Sequence, residues 1–264
     1  MNKFMTFMGK RSNWTLPYII FLAIFVVMPL LLVVYYSFID GEGNLSLYNF
    51  EKFFTSVDTI NTFIYSIGIA MMTTLICIVL GYPAAYFMAT SDFGTPKVMA
   101  MLFILPMWIN ILLRTLSTVA LFDFMNLPLG EGALIFGMVY NFLPFMIYPI
   151  YNTLQKMDKS LIEAAQDLGA NRTRVFRDVI MPLSVPGVYS GVVMVFMPTI
   201  STFAVAELLT MNNIKLFGTT IQENINAGLL NYGAALSLIM LIIIGLTSFF
   251  GSDDDDSNEK GGLL

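Results

Sequence analysis

Three groups of residues in this 264-residue chain have types and spacings that could transmit force or handle a charged partner. The first is Ser160-Leu161-Ile162-Glu163-Ala164-Ala165-Gln166-Asp167-Leu168-Gly169. Ser160 and Glu163 match the S-x-x-E capping box, in which each side chain satisfies the other's open backbone donor. Gly169 supplies a left-handed stop. Asn171 can cap a second helix from Arg172 to Met181, which Pro182 closes. The unit reads as helix, tight turn, helix. Leu161, Ala164 or Ala165, and Leu168 share one face, while Glu163, Gln166 and Asp167 are polar. The small alanines permit close approach of a partner surface, and the turn projects Gly169-Ala170-Asn171 with Arg172 and Arg174 beside it. The second group is Glu207, an acid inside an apolar stretch, with Phe203 one turn before it. The third is Arg114, also set in an apolar stretch, with Asn110 one turn away and Asp123 further on. Such charges are costly in hydrocarbon and usually pair or line a pathway. Arg114 therefore pairs with Glu207 or Asp123, or else gates an outer mouth.

Other chemistries are excluded by residue type. The chain has no histidine, which removes His-ligated metal, Ser/His/Asp triads and HExxH zinc sites. Its single cysteine, Cys77, lies in an apolar run, so there is no intramolecular disulfide or CxxC pair. No GxxxxGK[ST] phosphate loop occurs, since Gly9-Lys10 lacks the upstream glycine and is followed by Arg11. Every lysine falls outside the apolar segments, which argues against a Ser/Lys enzyme. No cofactor, metal or nucleic-acid partner is expected. If ATP drives this protein, another chain binds it.

The elements that must position these residues are membrane helices. The composition is 57% hydrophobic and 12% charged, with a mean hydropathy of +0.75, against about 25% charged in a soluble domain. About 20 apolar residues cross a bilayer as a helix, and six segments qualify: Leu16–Phe38, Phe63–Met88, Val98–Phe122, Ala133–Leu154, Val185–Thr210 and Tyr232–Phe250. The first follows Lys3, Lys10 and Arg11 like a signal peptide. Its apolar run is too long for a signal core and no small-residue cleavage site follows, so it reads as a retained span.

Basic residues orient the set. With the N-terminus inside, ten of the 13 Lys/Arg residues are internal, only Lys52 and Lys215 are external, and Arg114 is embedded. Both termini and the long loop 156–186 then face the cytoplasm. The division expected is a cytoplasmic N-terminus 1–15, a first span 16–38, a transport domain 62–250 and an acidic, solvated tail 251–264. Asp40–Ile60 faces outward and has room for a short surface helix.

The loop resembles the EAA motif of permease subunits in ABC-type importers, carried by Glu163-Ala164-Ala165, Gly169 and the Ile180/Pro182 region. Leu112-Leu113-Arg114-Thr115, Asn126-Leu127-Pro128-Leu129-Gly130, Tyr140-Asn141-Phe142-Leu143-Pro144 and Phe203 through Leu209 are similar to the spermidine/putrescine permeases, particularly the first of their two membrane subunits. One departure is Thr210-Met211-Asn212, where a Gly-rich step is expected after the acid. The resemblance covers about Phe63 to Phe250. It implies an all-α integral membrane protein of six transmembrane helices, with type I ABC importer permease architecture and a helix-turn-helix coupling loop.

The implied partners are a pair of cytoplasmic ATPase subunits, a sibling permease, an extracellular polyamine-binding protein and membrane lipid. ATPase coupling falls to Ser160, Glu163, Ala164, Ala165, Asp167, Gly169, Ala170, Asn171, Arg172 and Pro182. A polyamine is a flexible polycation, so its path should offer carboxylates and aromatic faces. Glu207 is the candidate acid, with Phe203, Trp108, Tyr140 and Tyr148 as candidate aromatics. Pro198 is placed to kink the fifth span toward a cavity. The alternative classes are a secondary transporter or a channel for another small cation. The former calls for internal repeats and broken helices, and no convincing duplication is present, while the latter would need a ring of filter residues and self-assembly.

Overall fold

A computed structural model describes residues 15–90, 101 and 105–249. Every extended element among them is helical, and the β content is a single antiparallel bridge between Ile39 and Leu45. The helices are α1 (Pro17–Ser37), α2 (Tyr48–Thr55), α3 (Val57–Thr90), α4 (Ile111–Phe124), α5 (Glu131–Lys156), α6 (Lys159–Asp167), α7 (Arg172–Ser201), α8 (Ala204–Thr210), α9 (Phe217–Asn226) and α10 (Leu230–Phe249). α1, α3, α5 and α7 are long and apolar enough to cross a bilayer, and Leu230–Gly245 is a shorter apolar helix.

Two of the expected spans are built differently. The third was expected as one helix over Val98–Phe122, of which 98–100 and 102–104 lie outside the described residues. Leu105–Trp108 is a 3-10 turn, and α4 starts afresh at Ile111 because the Asn110 side chain accepts the Leu112 N–H at 2.8 Å. The fifth span was expected over Val185–Thr210. Instead α7 begins at Arg172 and ends at Ser201, where Thr202 turns extended with its N–H on the Pro198 carbonyl at 2.9 Å. Glu207 therefore sits on the separate short helix α8. The expected N-terminus and acidic tail fall almost wholly outside the described residues.

Proline sets the character of these helices. It lacks an amide hydrogen, and its ring crowds the carbonyl four residues back. Two π-helical turns, Ala23–Val27 and Phe176–Ile180, occur in long helices, and each ends two residues before a proline, Pro29 and Pro182. In both the next amide reaches five residues back, Met28 to Ala23 and Met181 to Phe176. The wider turn lets the helix continue through the proline. Pro182 consequently does not close a helix. The expected stop at Met181 is replaced by one continuous run from Arg172 to Ser201.

The chain forms two compact units, one comprising residues up to Val57 with Ile221–Ile242, the other Asp58–Thr220 with residues from Ile243 on. In the first, α1 exposes apolar side chains all round, as a helix surrounded by hydrocarbon does. The 40–60 segment, which had room for a short helix, carries α2. Its buried Asn49 donates to the carbonyls of Ser37 at 3.2 Å and Ile39 at 2.8 Å. Lys52 lies 4.2 Å from the centre of the Tyr232 ring, and Asn231 donates to the Asp40 carbonyl at 2.8 Å.

The second unit is organised on α5. Its residues Leu134, Met138, Met146, Ile147 and Ile150 are fully buried, and α4, α7 and α8 pack against it. The α5–α7 crossing is close because Gly191 has no side chain. A Cβ there would lie 2.6 Å from the Met146 sulfur and 3.2 Å from the Met146 carbonyl oxygen. Small residues at such crossings let helix backbones approach in a membrane.

Candidate functional site

The loop between α5 and α7 is a two-helix elbow. α6 starts at Lys159, one residue before Ser160. Its cap is Asp158, whose Oδ1 accepts the Ser160 N–H at 2.9 Å. This corrects the expected Ser160–Glu163 capping box, because Ser160 already lies inside the first turn and is itself a donor needing an acceptor. That bond holds the Asp158 carboxyl below its ordinary range. The signal was an aspartate immediately ahead of the helix.

The far end of α6 follows expectation. Gly169 has φ +81, and the Gly169 and Ala170 amides reach back to the carbonyls of Gln166 at 2.8 Å and Ala165 at 3.0 Å. This is the paired C-terminal closure that a left-handed glycine permits. Asn171 Oδ1 then caps α7 by accepting the Arg174 N–H at 2.9 Å. From there the backbone runs without interruption through Pro182 into the apolar part of α7.

No residue of α6 is buried. Leu161 is exposed and Leu168 is 89% exposed. Glu163, Ala164, Asp167, Gly169, Asn171 and Arg172 are open to solvent, while Ala165 and Ala170 are half-covered. The other side of α6 borders a cleft of about 500 Å³, lined by Ile162, Glu163, Gln166, Tyr86, Leu154 and Ile180 among others. The base of the elbow is braced on α3. Phe176 packs edge-on against Tyr82 and Tyr86, with ring centres at 6.0 and 5.3 Å, and the Tyr82 and Ser184 hydroxyls are 2.8 Å apart.

The second feature is Arg114, only 5% exposed. Its Nη2 donates to the Tyr140 carbonyl at 2.7 Å and the Asn141 carbonyl at 3.3 Å, and its guanidinium lies 4.8 Å from the centre of the Tyr140 ring. Asn141, 1% exposed, donates to the Thr115 hydroxyl at 3.3 Å. Arg114 Nε and Asn141 Oδ1 are buried without a hydrogen-bond partner among the described residues. The anticipated ion pair with Glu207 or Asp123 does not form, and among the described residues Arg114 meets backbone carbonyls and a π face instead. The physical reason lies on α5, where Pro144 has no N–H to give the Tyr140 carbonyl.

Glu207 is half-buried on α8, whose residues Val205, Ala206, Leu209 and Thr210 are buried. Its carbonyl accepts the Asn212 N–H at 3.1 Å where Met211 and Asn212 adopt left-handed backbone, φ 51 and φ 60. A glycine-favouring conformation is thus present at Thr210-Met211-Asn212 without glycine. Phe203 precedes α8 and is 38% exposed, Trp108 is 85% exposed, and Tyr148 is exposed. The Tyr140 ring already faces a cation of its own chain. Neither the cleft beside α6 nor an apolar one of about 460 Å³ between Tyr82, Phe176 and Tyr189 includes Glu207 or these aromatics.

The structure does join sequence fragments far apart in the chain. Leu112–Thr115 meets Tyr140–Pro144 through Arg114 and Thr115. Asn126–Gly130 meets Phe203–Leu209 through the Gly130 N–H on the Leu209 carbonyl at 3.0 Å.

Long apolar helices, a helical bundle on α5 and an exposed elbow between two spans define a multi-pass membrane transport component. Residues 79–252 match the family described as binding-protein-dependent transport system inner membrane component, and the chain belongs to it. It is 32% identical to the spermidine/putrescine transport system permease protein PotB of Escherichia coli K12, over 85% of this chain and 90% of the relative. The PotB of Haemophilus influenzae is also 32% identical, over 86% of this chain and 88% of the relative. Among solved structures, a bacterial alginate ABC transporter chain aligns with a TM-score of 0.71 at 16% identity, covering 91% of each chain. A chain of the MetNI methionine ABC transporter aligns with a TM-score of 0.61 at 16% identity, covering 77% of this chain and 99% of that one. These two likenesses concern the fold. The protein is an all-α, multi-pass inner-membrane permease.

Proposed function

We propose that this chain is the membrane-spanning subunit of an ATP-driven importer of polyamines, working on spermidine or putrescine delivered by an extracellular binding protein. The observation that carries this reading is 32% identity to a spermidine/putrescine permease across nine-tenths of that relative's length. ATP hydrolysis belongs to a partner chain, in keeping with the absence of a phosphate loop here. A sibling permease completes the pathway, and lipid surrounds the pair. The excess of Lys and Arg on one side supports cytoplasmic placement of both termini and of the elbow.

In this mechanism α6 is the docking helix. Its exposed Leu161, Ala164 and Leu168 offer an apolar face ringed by Glu163, Asp167 and Arg172, suited to a groove on one ATPase subunit. Force delivered there enters α5 and α7, because α6 is tied to one by two residues and to the other by a capped turn. The unbroken Arg172–Ser201 helix is a rigid lever, as coupling between two distant sites requires. Glu207, with Phe203 one turn before it, is the acid assigned to the cation path, and Trp108 and Tyr148 are supporting aromatic surfaces. Asp123 is exposed near the end of α4 and is assigned a structural or gating charge.

Uptake of labelled spermidine and putrescine into cells lacking this chain tests the reading. Loss of both, restored by the intact chain and competed by unlabelled polyamine, is the expected result. Undiminished uptake in the deletion strain excludes it.

A further inference from the structure

The amide nitrogen of Pro144 carries no hydrogen, so the Tyr140 carbonyl four residues earlier has no donor along α5. Left open in an apolar interior, such a carbonyl is costly. Arg114 Nη2 occupies that position at 2.7 Å and reaches the adjoining Asn141 carbonyl at 3.3 Å. Its guanidinium also covers the ring of the residue whose carbonyl it binds. A second contact from the same turn, Asn141 to the Thr115 hydroxyl, fastens α4 to this one point of α5. Both hydrogen bonds of the Arg114 side chain are thus at the turn where a proline interrupts the hydrogen-bond ladder.

We infer that Arg114 is a positioning residue that stands in for the missing Pro144 amide and holds α5 in one setting at that turn. Among the described residues it is not one half of an ion pair. The transport consequence rests on the permease reading above. From Pro144 the same helix runs on through a second proline, Pro149, to Lys156, two residues short of α6, so the setting of α5 at Pro144 lies on the helix that enters the elbow. A loose α5 absorbs movement that a braced α5 passes on.

Proline itself supplies the test, since alanine at 144 restores a backbone donor to the Tyr140 carbonyl. The full chain, with its partner subunits in proteoliposomes, is compared as wild type, R114K, R114M, P144A and R114M/P144A. R114M is expected to lower the maximal rate of spermidine uptake about tenfold with KM within about twofold, because coupling between sites is typically a 5- to 150-fold effect. It also lowers the melting temperature. R114K, which keeps a donor but not the fork, falls between R114M and wild type. The deciding comparison is R114M/P144A, which should recover both melting temperature and uptake toward the P144A values. A double variant no better than R114M in either measurement overturns the inference. If R114M fails to insert, insertion yield of the same two chains makes the comparison. Absence of polyamine uptake by the wild-type assembly would count against the proposed cargo alone, and the melting comparison would still decide the role of Arg114.

Discussion

Arg114 and Tyr140 are joined twice, by a 2.7 Å hydrogen bond to the Tyr140 carbonyl and by a guanidinium 4.8 Å from the centre of the Tyr140 ring. Among the described residues, a charge in an apolar bundle is thereby met by a carbonyl and a ring in place of a carboxylate. Placing arginine at the centre of a membrane helix costs about 3 kcal/mol on insertion scales. Carbonyls and aromatic faces are the partners present here to offset it. The arrangement also frees Glu207 and Asp123 from any structural pairing with Arg114.

Removing the Glu163 carboxylate should uncouple the elbow from its motor. Glu163→Ala is expected to insert and fold normally, since the side chain is exposed. Uptake should fall about tenfold while ATP hydrolysis by the assembled complex continues, a loss within the usual range of site-to-site coupling. Parallel measurement of uptake and phosphate release checks this, and wild-type uptake would remove Glu163 from the coupling surface.

Asp158 gives the elbow an acid limit. Its carboxyl is held low by the Ser160 N–H, so ionised Asp158 stabilises the start of α6. A depressed carboxyl contributes fully above the ordinary aspartate range and loses that contribution as pH falls through its own lower value. Protection of the Ser160 and Leu161 amides, relative to free peptide at the same pH, should therefore fall only below about pH 4, the ordinary aspartate value. Asp158→Asn should abolish that acid step, and a step persisting in this variant would assign it to another group.

The second cap is independent. Asn171→Ala removes the acceptor for the Arg174 N–H and should cost about 1 kcal/mol at the start of α7, with Asn171→Asp near wild type. Hydrogen exchange across 172–176 reports the difference, and equal protection in all three chains would show the cap to be idle.

Gly191→Ala should weaken the α5–α7 crossing by about 1–3 kcal/mol, the usual range for forcing a methyl into a packed core. The added Cβ meets both the sulfur and the backbone of Met146, and backbone cannot yield as a side chain does. Thermal melting in detergent measures this, and an unchanged midpoint would mean that the crossing opens without cost.

Met211→Gly should act in the opposite direction. Met211 holds φ 51, a left-handed conformation that costs a residue with a Cβ roughly 1–2 kcal/mol. Glycine relieves this and gives part of it back through its greater freedom when unfolded. A rise of a few degrees in melting temperature is expected. A fall would indicate that the Met211 side chain contributes more than its backbone strain removes.

Much of this molecule was readable along the chain because the bilayer imposes local rules. Apolar runs mark spans, a missing histidine removes whole classes of catalysis, and Gly169 stops α6 whatever surrounds it. Relationships within one turn of backbone were legible too, such as Asn171 capping Arg174. Asp158 was legible in the same way, although Ser160-x-x-Glu163 made a competing pattern for the same helix start. Other properties depended on what stands beside a residue. Pro182 read as a stop, yet a π turn upstream carries the helix through it, with Phe176 packed on Tyr82 and Tyr86. Val185 to Thr210 read as one span, yet the helix ends at Ser201 and puts Glu207 on a helix of its own. The partner of Arg114 was settled by a proline 30 positions away on a neighbouring helix, because an open carbonyl in hydrocarbon takes whatever donor the packing brings. Local hydrogen-bonding and burial rules act over a few residues and are written in order. Which distant donor meets which orphaned acceptor is decided only when the helices pack.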